Sequence, residues 1–542
     1  MKQYKILFLL ATTICSILPA LLSAQVDTTW TRRYVGPAND GDIINAMVID
    51  NLGNVYVTGY SEGVNTLYDY CTIKYYVNGN VAWIKRFDGP GNDYDNANTI
   101  AVDNLGNVYV TGSSKSSSAV SSYDYLTIKY NSSGDTVWTR RYNGPGNNND
   151  FAYAVAVDSS GNVYVAGLSA GSGTNDDFAT IKYNSAGVQE WVSRYNGPGN
   201  NGDAAYSMKL DRQGNIYVTG ASIGSGTNWD YATIKYYPNG DTAWVRRYNG
   251  TGNSADEAYM VAVDGSGKVY VTGYTNNASS GYDYTTIKYN ALGDTLWVRK
   301  YAYSGNSQDY AEALALDSHG NVYVTGYSSV TGGTNFDYAT LKYDSLGNEI
   351  WSRRYNGTAN AGDYGYALAI DAQDNVYVTG ASYNSIIYSD IVTIKYDPLG
   401  NTIWSTTYDG LYHKDDWPCA IALYNTANIY VAGVSCDSTD LENYITIKYV
   451  QGQGVEENRQ PLAADRLTLE VFPNPAKTYF TVRLPQTTDH SMIKIFNVSG
   501  KIVKSEELKG NNNRISLDGI MNGVYFVQLD NQTISKKLVI TK

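Results

Sequence analysis

Three sets of aspartates recur along the chain, and carboxylates repeated in this way could bind a metal ion. One set opens each repeat unit, a second follows eight residues later, and a third stands further on, at Asp177, Asp230, Asp283 and Asp337 among others. Ca²⁺ takes about 6–8 oxygen ligands, so a ring of carboxylates would suit it. Aspartates at strand ends and turns more often accept backbone N–H groups, however. We therefore predict no metal and no cofactor, with these four aspartates as the weak candidates for Ca²⁺.

Aromatic residues stand in polar loops beside the third aspartate set. Rings on the loops of a rigid scaffold can stack on sugars or anchor a protein partner. The alternative is that they cover the hydrophobic layer between neighbouring units. Trp229 is the first to test, because the rest of its loop reads GSGTN. The candidate ligand-binding residues are Tyr68, Tyr123, Trp229, Tyr282, Phe336 and Tyr388.

Residues that could perform nucleophilic catalysis are sparse. Gly-x-Ser-x-Gly occurs at Gly59–Gly63, Gly167–Gly171 and Gly220–Gly224, but each copy follows a predicted strand and enters a loop. A nucleophile elbow needs a strand-to-helix turn and His and Asp partners. The chain has three His and no Cys/His cluster with metal-ligand spacing. We predict no catalytic residue; an enzyme would have to break the regularity of the repeats at one spot with converging acids or bases.

Arg and Trp recur as regularly as Asp. An Arg lies three residues after the Trp in six units, as Arg86 follows Trp83. These arginines could form an anion-binding ring, but buried charges are usually paired, so we favour pairing with an aspartate of the same unit. Seven of the eight Trp follow a turn Gly by four residues, and in this they resemble half of the tryptophan-docking motif of eight-bladed quinoprotein dehydrogenases. The other half is absent, and we predict that the Trp pack in the core.

All these residues belong to a repeat whose clearest segment is NVYVTG. It or a close variant ends at Gly59, Gly112, Gly167, Gly220, Gly273, Gly326, Gly380 and Gly433. A period near 50 residues indicates a stacked or circular array. The unit Asp309–Tyr355 reads as four short strands at Tyr310–Asp317, NVYVTG itself, Asp337–Asp344 and Glu349–Gly357. Four antiparallel strands joined by turns, without helical periodicity, predict a β-propeller blade.

The two ends of the repeat region predict how the ring closes. It begins with a fourth strand, VDTTWTRRY, and ends with a third strand, ITIKYV. Pairing the two would remove both exposed edges, so we predict eight blades in an all-β fold, with the N-terminal strand closing the last. The variable loops between strands two and three share one face with the connections between blades. We expect ligands at this loop-rich face.

Bulk properties limit the function classes. The formal net charge of −12 argues against binding nucleic acid. Residues 1–24 read as a secretory signal peptide, and no later apolar run is long enough to span a membrane. The remaining cysteines are Cys71, Cys419 and Cys436. Cys419 and Cys436 flank one predicted hairpin and could pair, or stay separate buried thiols.

The pattern changes after the repeats. We predict a propeller over residues 25–450, a linker over 451–466 and a small immunoglobulin-like β-sandwich of seven strands over 467–542. FPNPA, IFNVSGKIV, NGVYFVQL and KKLVITK in this last segment resemble the type IX secretion system C-terminal sorting domain of Bacteroidetes. The residues that carry the resemblance are Pro473, Asn474, Pro475, Gly500, Lys501, Gly523, Tyr525, Lys536 and Lys537.

The sorting-domain resemblance implies a route of export and a cellular location. It implies passage through the periplasm of a Gram-negative bacterium, contact with the type IX secretion machinery, and release or attachment at the outer-membrane cell surface. The repeats resemble the bacterial SBBP β-propeller repeat, which implies a fold but no activity. Our leading hypothesis is a non-enzymatic module that binds a polysaccharide or a surface protein. The alternatives are a polysaccharide lyase or hydrolase, a quinoprotein-like enzyme, and a purely structural adhesin or matrix component.

Overall fold

The computed structural model describes residues 26–116, 122–305, 307–329, 335–384, 387–452, 470–472, 476–483, 492–497, 501–508, 512–529 and 535–541. Over these ranges the chain forms 39 strands and no helix, so no helix could cross a membrane there. The chain divides into two compact units, Met1–Gly454 and Val455–Lys542. The predicted signal peptide and most of the predicted linker lie outside the described residues.

Eight four-stranded antiparallel blades form the first unit, so the predicted fold class is confirmed. The first strands are β2 (Asp42–Ile49), β6 (Asp95–Val102), β10 (Asp150–Val157), β14 (Asp203–Leu210), β18 (Glu257–Val263), β22 (Ser307–Leu316), β26 (Asp363–Ile370) and β30 (Asp416–Tyr424). The second strands are β3 (Val55–Glu62), β7 (Val108–Lys115), β11 (Val163–Ala170), β15 (Ile216–Ile223), β19 (Val269–Asn277), β23 (Val322–Ser329), β27 (Val376–Tyr383) and β31 (Asn428–Cys436).

The outer half of each blade follows the same order. The third strands are β4 (Tyr68–Tyr75), β8 (Tyr123–Tyr130), β12 (Asp176–Tyr183), β16 (Trp229–Tyr236), β20 (Gly281–Tyr289), β24 (Phe336–Tyr343), β28 (Ser389–Tyr396) and β32 (Glu442–Gln451). The fourth strands are β5 (Val81–Phe87), β9 (Thr136–Tyr142), β13 (Gln189–Tyr195), β17 (Thr242–Tyr248), β21 (Thr295–Tyr301), β25 (Glu349–Tyr355), β29 (Thr402–Tyr408) and, for the last blade, β1 (Val26–Tyr34).

The ring closes as predicted. β1 pairs antiparallel with β32, from Val26 opposite Gln451 to Tyr34 opposite Tyr444. The first strands of neighbouring blades contact one another all the way round, β30 with β2 included, so they line the axis of the ring. Because every first strand has a neighbour on each side and the last blade is completed by β1, no blade is left with an open face or an unpaired terminal strand.

The loop-rich face comprises the loops between second and third strands and the connections between blades. Backbone hydrogen bonds join the two kinds of loop directly: the N–H of Glu62 donates to the carbonyl of Gly41 over 3.3 Å, and that of Ile223 to Gly202 over 3.1 Å. The short hairpin turns lie at the opposite ends of the same strands. The predicted sharing of one face by both variable segments therefore has a backbone basis.

The glycine of NVYVTG has a different role from the expected one. We expected it to end the second strand, but β15 continues from Gly220 to Ile223. Each first strand bulges at the fourth residue of its unit, counted from the leading aspartate, and the pairing register shifts there, as between Ala205 and Ser207. At the bulge the carbonyl oxygen of Ala204 lies 1.9 Å from where a Cβ of Gly220 would be. The residue must be glycine because the neighbouring backbone occupies the space of a side chain.

Contacts between blades combine buried aromatic and aliphatic side chains. Tyr109, Tyr125 and Trp138 of the second blade pack on Val163 and Ile181 of the third, and the other blade interfaces repeat this pattern. The Trp138 indole N–H donates to the carbonyl of Ser185 in the next blade over 3.3 Å. Its ring lies against the turn glycine Gly187, where a Cβ would approach within 2.9 Å. The predicted packing role of the Trp is therefore correct, and each ring ties one blade to the next.

The second unit has two sheets over one core. The three-stranded sheet contains β33 (Glu470–Phe472), β34 (Tyr479–Arg483) and β37 (Asn512–Ser516). The four-stranded sheet contains β35 (Met492–Asn497), β36 (Ile502–Glu507), β38 (Gly523–Leu529) and β39 (Ser535–Ile540). Phe480, Ile493, Ile515, Val527 and Leu538 are buried together. Seven strands in two sheets match the small sandwich expected from the sequence.

Replacing Gly220 with Ala should destabilise the propeller strongly. A Cβ there would meet the Ala204 carbonyl group and the Ala205 Cα, all backbone atoms that cannot swing away. We expect a loss of about 3 kcal/mol, the upper range for overpacking, measured from urea denaturation midpoints.

Gly265→Ala is the matched control. A Cβ at Gly265 would have no heavy atom within 4 Å, so its effect should stay within about 0.5 kcal/mol. Equal effects of the two substitutions would contradict the close-approach explanation.

Candidate functional site

The loop-rich face carries an aromatic cleft of about 340 Å³. It spans the first three blades and brings together two predicted ligand-binding residues, Tyr68 and Tyr123. The cleft is lined by Tyr60, Tyr68, Tyr94, Asn96, Ser113, Tyr123 and Phe151. Asn96 and Ser113 add an amide and a hydroxyl among five rings, so the lining is mostly apolar with few polar groups, as in sites for organic ligands.

The aromatic rings that form the cleft walls are tilted relative to one another. The ring centroids of Tyr60 and Tyr68 lie 4.8 Å apart at 59°, and those of Tyr68 and Tyr94 lie 5.4 Å apart at 47°. On the other side, Tyr123 and Phe151 lie 5.6 Å apart at 31°. Tyr94, on the connection before β6, is 44% exposed. The walls therefore offer ring faces to a ligand that enters from solvent.

The rim of the cleft is acidic on one side. Partial burial and the nearby charges of Glu62, Asp40 and Glu442 raise the pKa of Tyr68, so its hydroxyl stays protonated. On the opposite side Lys115 lies 5.2 Å from the ring centroid of Tyr123, and its Nζ pairs with Asp93 Oδ2 over 2.6 Å. Since that cation is already neutralised, the cleft favours neutral over anionic ligands.

An aromatic belt continues from the cleft around the axis. It comprises Phe151, Tyr153, Tyr206, Tyr259, Tyr274, Tyr310, Tyr327, Tyr364 and Tyr366, with successive ring centroids 5.0–6.5 Å apart. Seven of these residues lie in first strands, at the second or fourth position of their unit counted from its leading aspartate, near the loop-rich end of the strand. Sequence reasoning missed them because they lie inside strands. The sequence did contain a signal for these residues: later units have an aromatic residue at the positions that Ile43 and Asn45 occupy in the first blade.

The other predicted ligand-binding residues divide into two pairs. Tyr282 and Phe336 contact the belt, with centroids 5.6 Å and 6.2 Å from Tyr310. Trp229 instead covers Gly202, where a Cβ would lie 2.8 Å from the indole ring. The Tyr388 hydroxyl lies 2.7 Å from the Nζ of Lys414. The structure therefore places four of the six candidates in the cleft or against the belt.

The aspartates proposed as weak calcium candidates lie in four different blades. Asp177, Asp230 and Asp337 each accept a hydrogen bond from Arg194, Arg247 and Arg354, respectively, over 2.8 Å. Asp283 Oδ2 accepts from Asn277 and Ser280 over 2.7 Å and 2.6 Å. The arginines thus pair within their own blades.

Other acidic groups come close enough to share an ion. Among the described residues, the three groups with metal-ligand spacing are Asp69, Asp88 and Asp95; Asp390, Asp409 and Asp416; and Asp317, His319 and Asp374. None of these groups includes the four weak calcium candidates. The three thiols, Cys71, Cys419 and Cys436, are free.

The Gly-x-Ser-x-Gly serines are structural. Ser61, Ser169 and Ser222 are fully buried. Each hydroxyl accepts a hydrogen bond from the arginine of its blade, over 2.6 Å from Arg194 in the case of Ser169. The same hydroxyls hydrogen-bond the aspartates that open their units, Asp42, Asp150 and Asp203, so each serine belongs to a buried polar network inside its blade. His413 is exposed, and its Nδ1 lies 2.6 Å from Asp409 Oδ2.

The predicted sorting residues fall partly on described segments. Tyr525 of β38 is buried, and its hydroxyl donates to the Met521 carbonyl over 3.0 Å. The Lys501 N–H donates to Asn497 Oδ1 over 3.0 Å, and Gly523 opens β38 opposite Ile540. Lys536 and Lys537 pair with Val527 and Phe526 in the sheet. Pro473, Asn474, Pro475 and Gly500 lie outside the described residues.

Comparison with protein families matches both units. A model described as a secretion system C-terminal sorting domain matches residues 470–541. A model described as the SBBP β-propeller repeat matches residues 29–65, 82–118, 137–173, 243–279 and 296–335. The two matches confirm the resemblances drawn from the sequence motifs.

Curated relatives match over limited stretches. Beta-agarase A of Zobellia galactanivorans is 40% identical over 87 residues, 15% of this chain and 16% of that protein. The uncharacterized WD repeat-containing protein L264 of Acanthamoeba polyphaga mimivirus is 24% identical over 481 residues, 64% of this chain and 33% of that protein. The chain thus covers no more than a third of the length of either relative.

Solved propellers are similar at low identity. PorZ, a surface component of the type IX secretion system of Porphyromonas gingivalis, is 12% identical, with a TM-score of 0.28, over 92% of this chain and 70% of PorZ. The β-propeller domain of the Trilobed protease from Pyrococcus furiosus is 9% identical, with a TM-score of 0.33, over 72% of this chain and 96% of that domain. Neither likeness bears on function. This chain is a β-propeller repeat protein with a C-terminal sorting domain, exported by the type IX route to the cell surface or beyond.

Proposed function

We propose that the exported propeller binds a neutral polysaccharide through the aromatic cleft. The observation that carries the proposal is the convergence of Tyr60, Tyr68, Tyr94, Tyr123 and Phe151 on one cavity at the loop-rich face. Pyranose rings expose C–H faces that pack on aromatic rings, while their hydroxyls bond to amides and hydroxyls. Aromatic side chains suit this role because they combine a large apolar face with a polar tip.

The charge around the cleft favours a neutral ligand over an anionic one. Partial burial and the charges of Glu62, Asp40 and Glu442 raise the pKa of Tyr68, and Lys115 is paired with Asp93. A uronic-acid polymer would meet these carboxylates, and Lys115, a cation described beside the cleft, is already paired with Asp93. The cavity volume of about 340 Å³ lies at the small end of ligand pockets, which suits one or two sugar rings of a longer chain.

Removing a cleft ring should weaken binding of a neutral polysaccharide. We expect Tyr68→Ala and Tyr123→Ala each to raise the Kd about tenfold or more, because a central aromatic contact typically contributes over about 1.4 kcal/mol. Affinity electrophoresis of the full mature protein in gels containing xylan, galactan, laminarin, alginate or pectate measures the effect. The neutral polymers should retard the protein and the anionic ones should not.

Tyr237→Ala is the matched control, because Tyr237 is 50% exposed and stands in a hairpin turn on the opposite face. It should leave binding unchanged. If no neutral polymer retards the wild-type protein, or if Tyr237→Ala weakens binding as much as Tyr68→Ala, the cleft is not a polysaccharide site.

Export should depend on the second unit. Deleting residues 467–542 removes the whole sorting domain and should leave the propeller in the periplasm, since the machinery no longer has its signal. Immunoblots of periplasmic, outer-membrane and culture fractions measure this. Full-length Tyr237→Ala is the control and should reach the surface or the medium; normal export of the truncated protein would contradict the assignment.

A further inference from the structure

Two carboxylates interrupt the aromatic belt at positions where no other blade has an acid. Glu257 is the second residue of its unit and Glu312 the fourth. The residues equivalent to Glu257 are Ile43, Asn96, Phe151, Ala204, Tyr310, Tyr364 and Trp417, and those equivalent to Glu312 are Asn45, Asn98, Tyr153, Tyr206, Tyr259, Tyr366 and Cys419. At each of the two positions seven blades have no acid, so the fold itself does not require these two carboxylates.

The two glutamates lie in adjacent blades among belt tyrosines. Glu257 opens β18, and its Oε1 accepts a hydrogen bond from the Tyr274 hydroxyl over 2.8 Å. Glu312 is the bulge residue of β22, between Ala311 and Ala313. A bulge re-aims a side chain and is frequent beside active sites. Both side chains are half-buried, which leaves each reachable from solvent.

Neither carboxylate has a cationic partner. Over the described part of the chain, no Lys, Arg or His nitrogen lies within ion-pair distance of Glu257 or Glu312, unlike the arginine-paired aspartates of the blades. Burial, reinforced by the charge of Glu257 and opposed by a hydrogen bond from Tyr327, raises the pKa of Glu312 to about 7. Burial also raises the pKa of Tyr259 and Tyr206, so these hydroxyls stay neutral donors.

We propose that Glu312 and Glu257 are a general acid and a general base that hydrolyse glycosidic bonds of a neutral polysaccharide bound along the aromatic belt. This inference rests on the proposed function, since the belt continues the cleft through their shared residue Phe151. Tyr259 lies between the two acids in the belt and contacts Tyr206 and Tyr274, with ring centroids 5.8 Å and 5.7 Å away. A sugar ring stacked on these residues would bring its glycosidic oxygen beside both carboxyl groups.

The reaction balances with water as the only co-reactant. Protonated Glu312 gives its proton to the glycosidic oxygen as the C1–O bond breaks, and the leaving sugar departs as an alcohol. Glu257, as the general base, takes a proton from a water molecule whose oxygen forms the new bond to C1. One water is consumed, one new reducing end appears, and proton exchange with solvent restores both carboxyl groups. Two carboxyl groups in different protonation states are the usual requirement for this chemistry.

The test is reducing-end release from whichever polysaccharide the full mature protein binds. We expect Glu312→Gln and Glu257→Gln each to lower the rate by about a hundredfold or more, the typical loss when a general acid or base is removed. Binding of the same polymer should change less than about threefold, because the cleft rings are intact. Glu349→Gln, which replaces an exposed glutamate of the outer strand β25, should leave rate and binding unchanged.

The pH profile gives a second readout that a merely structural role would not move. The rate should fall as pH rises through the pKa of Glu312, near 7, and Tyr327→Phe, which removes a hydrogen bond that lowers this pKa, should shift the fall to higher pH. If the wild-type protein binds a polymer but releases no reducing ends, the acid–base proposal is wrong while the binding proposal stands. If it binds none, the proposed function fails first.

Discussion

The close approach of two backbones at each bulge is the constraint on which the propeller depends. In every blade the second strand presents a glycine where the first strand bulges, and the carbonyl of the first strand fills the space of a Cβ. The bulge adds a residue to the first strand and pushes its backbone against the second strand. The second strand can accommodate that backbone only where it has a glycine, which lacks a side chain. The repeat is therefore fixed by backbone geometry at its inner edge as much as by the alternation of apolar residues.

That constraint also determines where the blades may vary. The bulge residue leaves the regular pairing of its strand, so its side chain is free of the packing pattern that fixes Val and Tyr in the blade faces. The eight bulge positions accordingly hold Asn45, Asn98, Tyr153, Tyr206, Tyr259, Glu312, Tyr366 and Cys419. The contacts between blades do not allow such variation. There the Trp ring packs on a turn glycine of the next blade, and its indole N–H donates to a backbone carbonyl of the same turn. Side chains at the blade interfaces must therefore keep nearly the same volume in every blade. The loop-rich ends of the first strands can instead hold side chains that bind or react with a ligand.

Much of the architecture could be predicted because it follows from the length of the repeat and from the alternation of apolar residues along each strand. NVYVTG gave the count of blades, the unpaired fourth and third strands at the two ends gave the closure, and Trp138 was correctly placed in the core. The role of Gly220 could not be predicted in the same way, because the atom that excludes a side chain there belongs to another strand. A glycine in a loop and a glycine against a bulge look alike in sequence.

The site was predictable only in part for a related physical reason. Tyr68 and Tyr123 begin third strands, where position in the unit already indicates the loop-rich face. Phe151, Tyr153 and Tyr206 stand inside first strands, and the rings of the second and third of these meet because the first strands of successive blades pack side by side. Glu257 and Glu312 are 55 residues apart in sequence and lie in first strands that contact each other in adjacent blades. A repeat makes each residue look equivalent to seven others, so function has to be sought where one position differs from its seven counterparts and a rigid neighbour holds that difference in place.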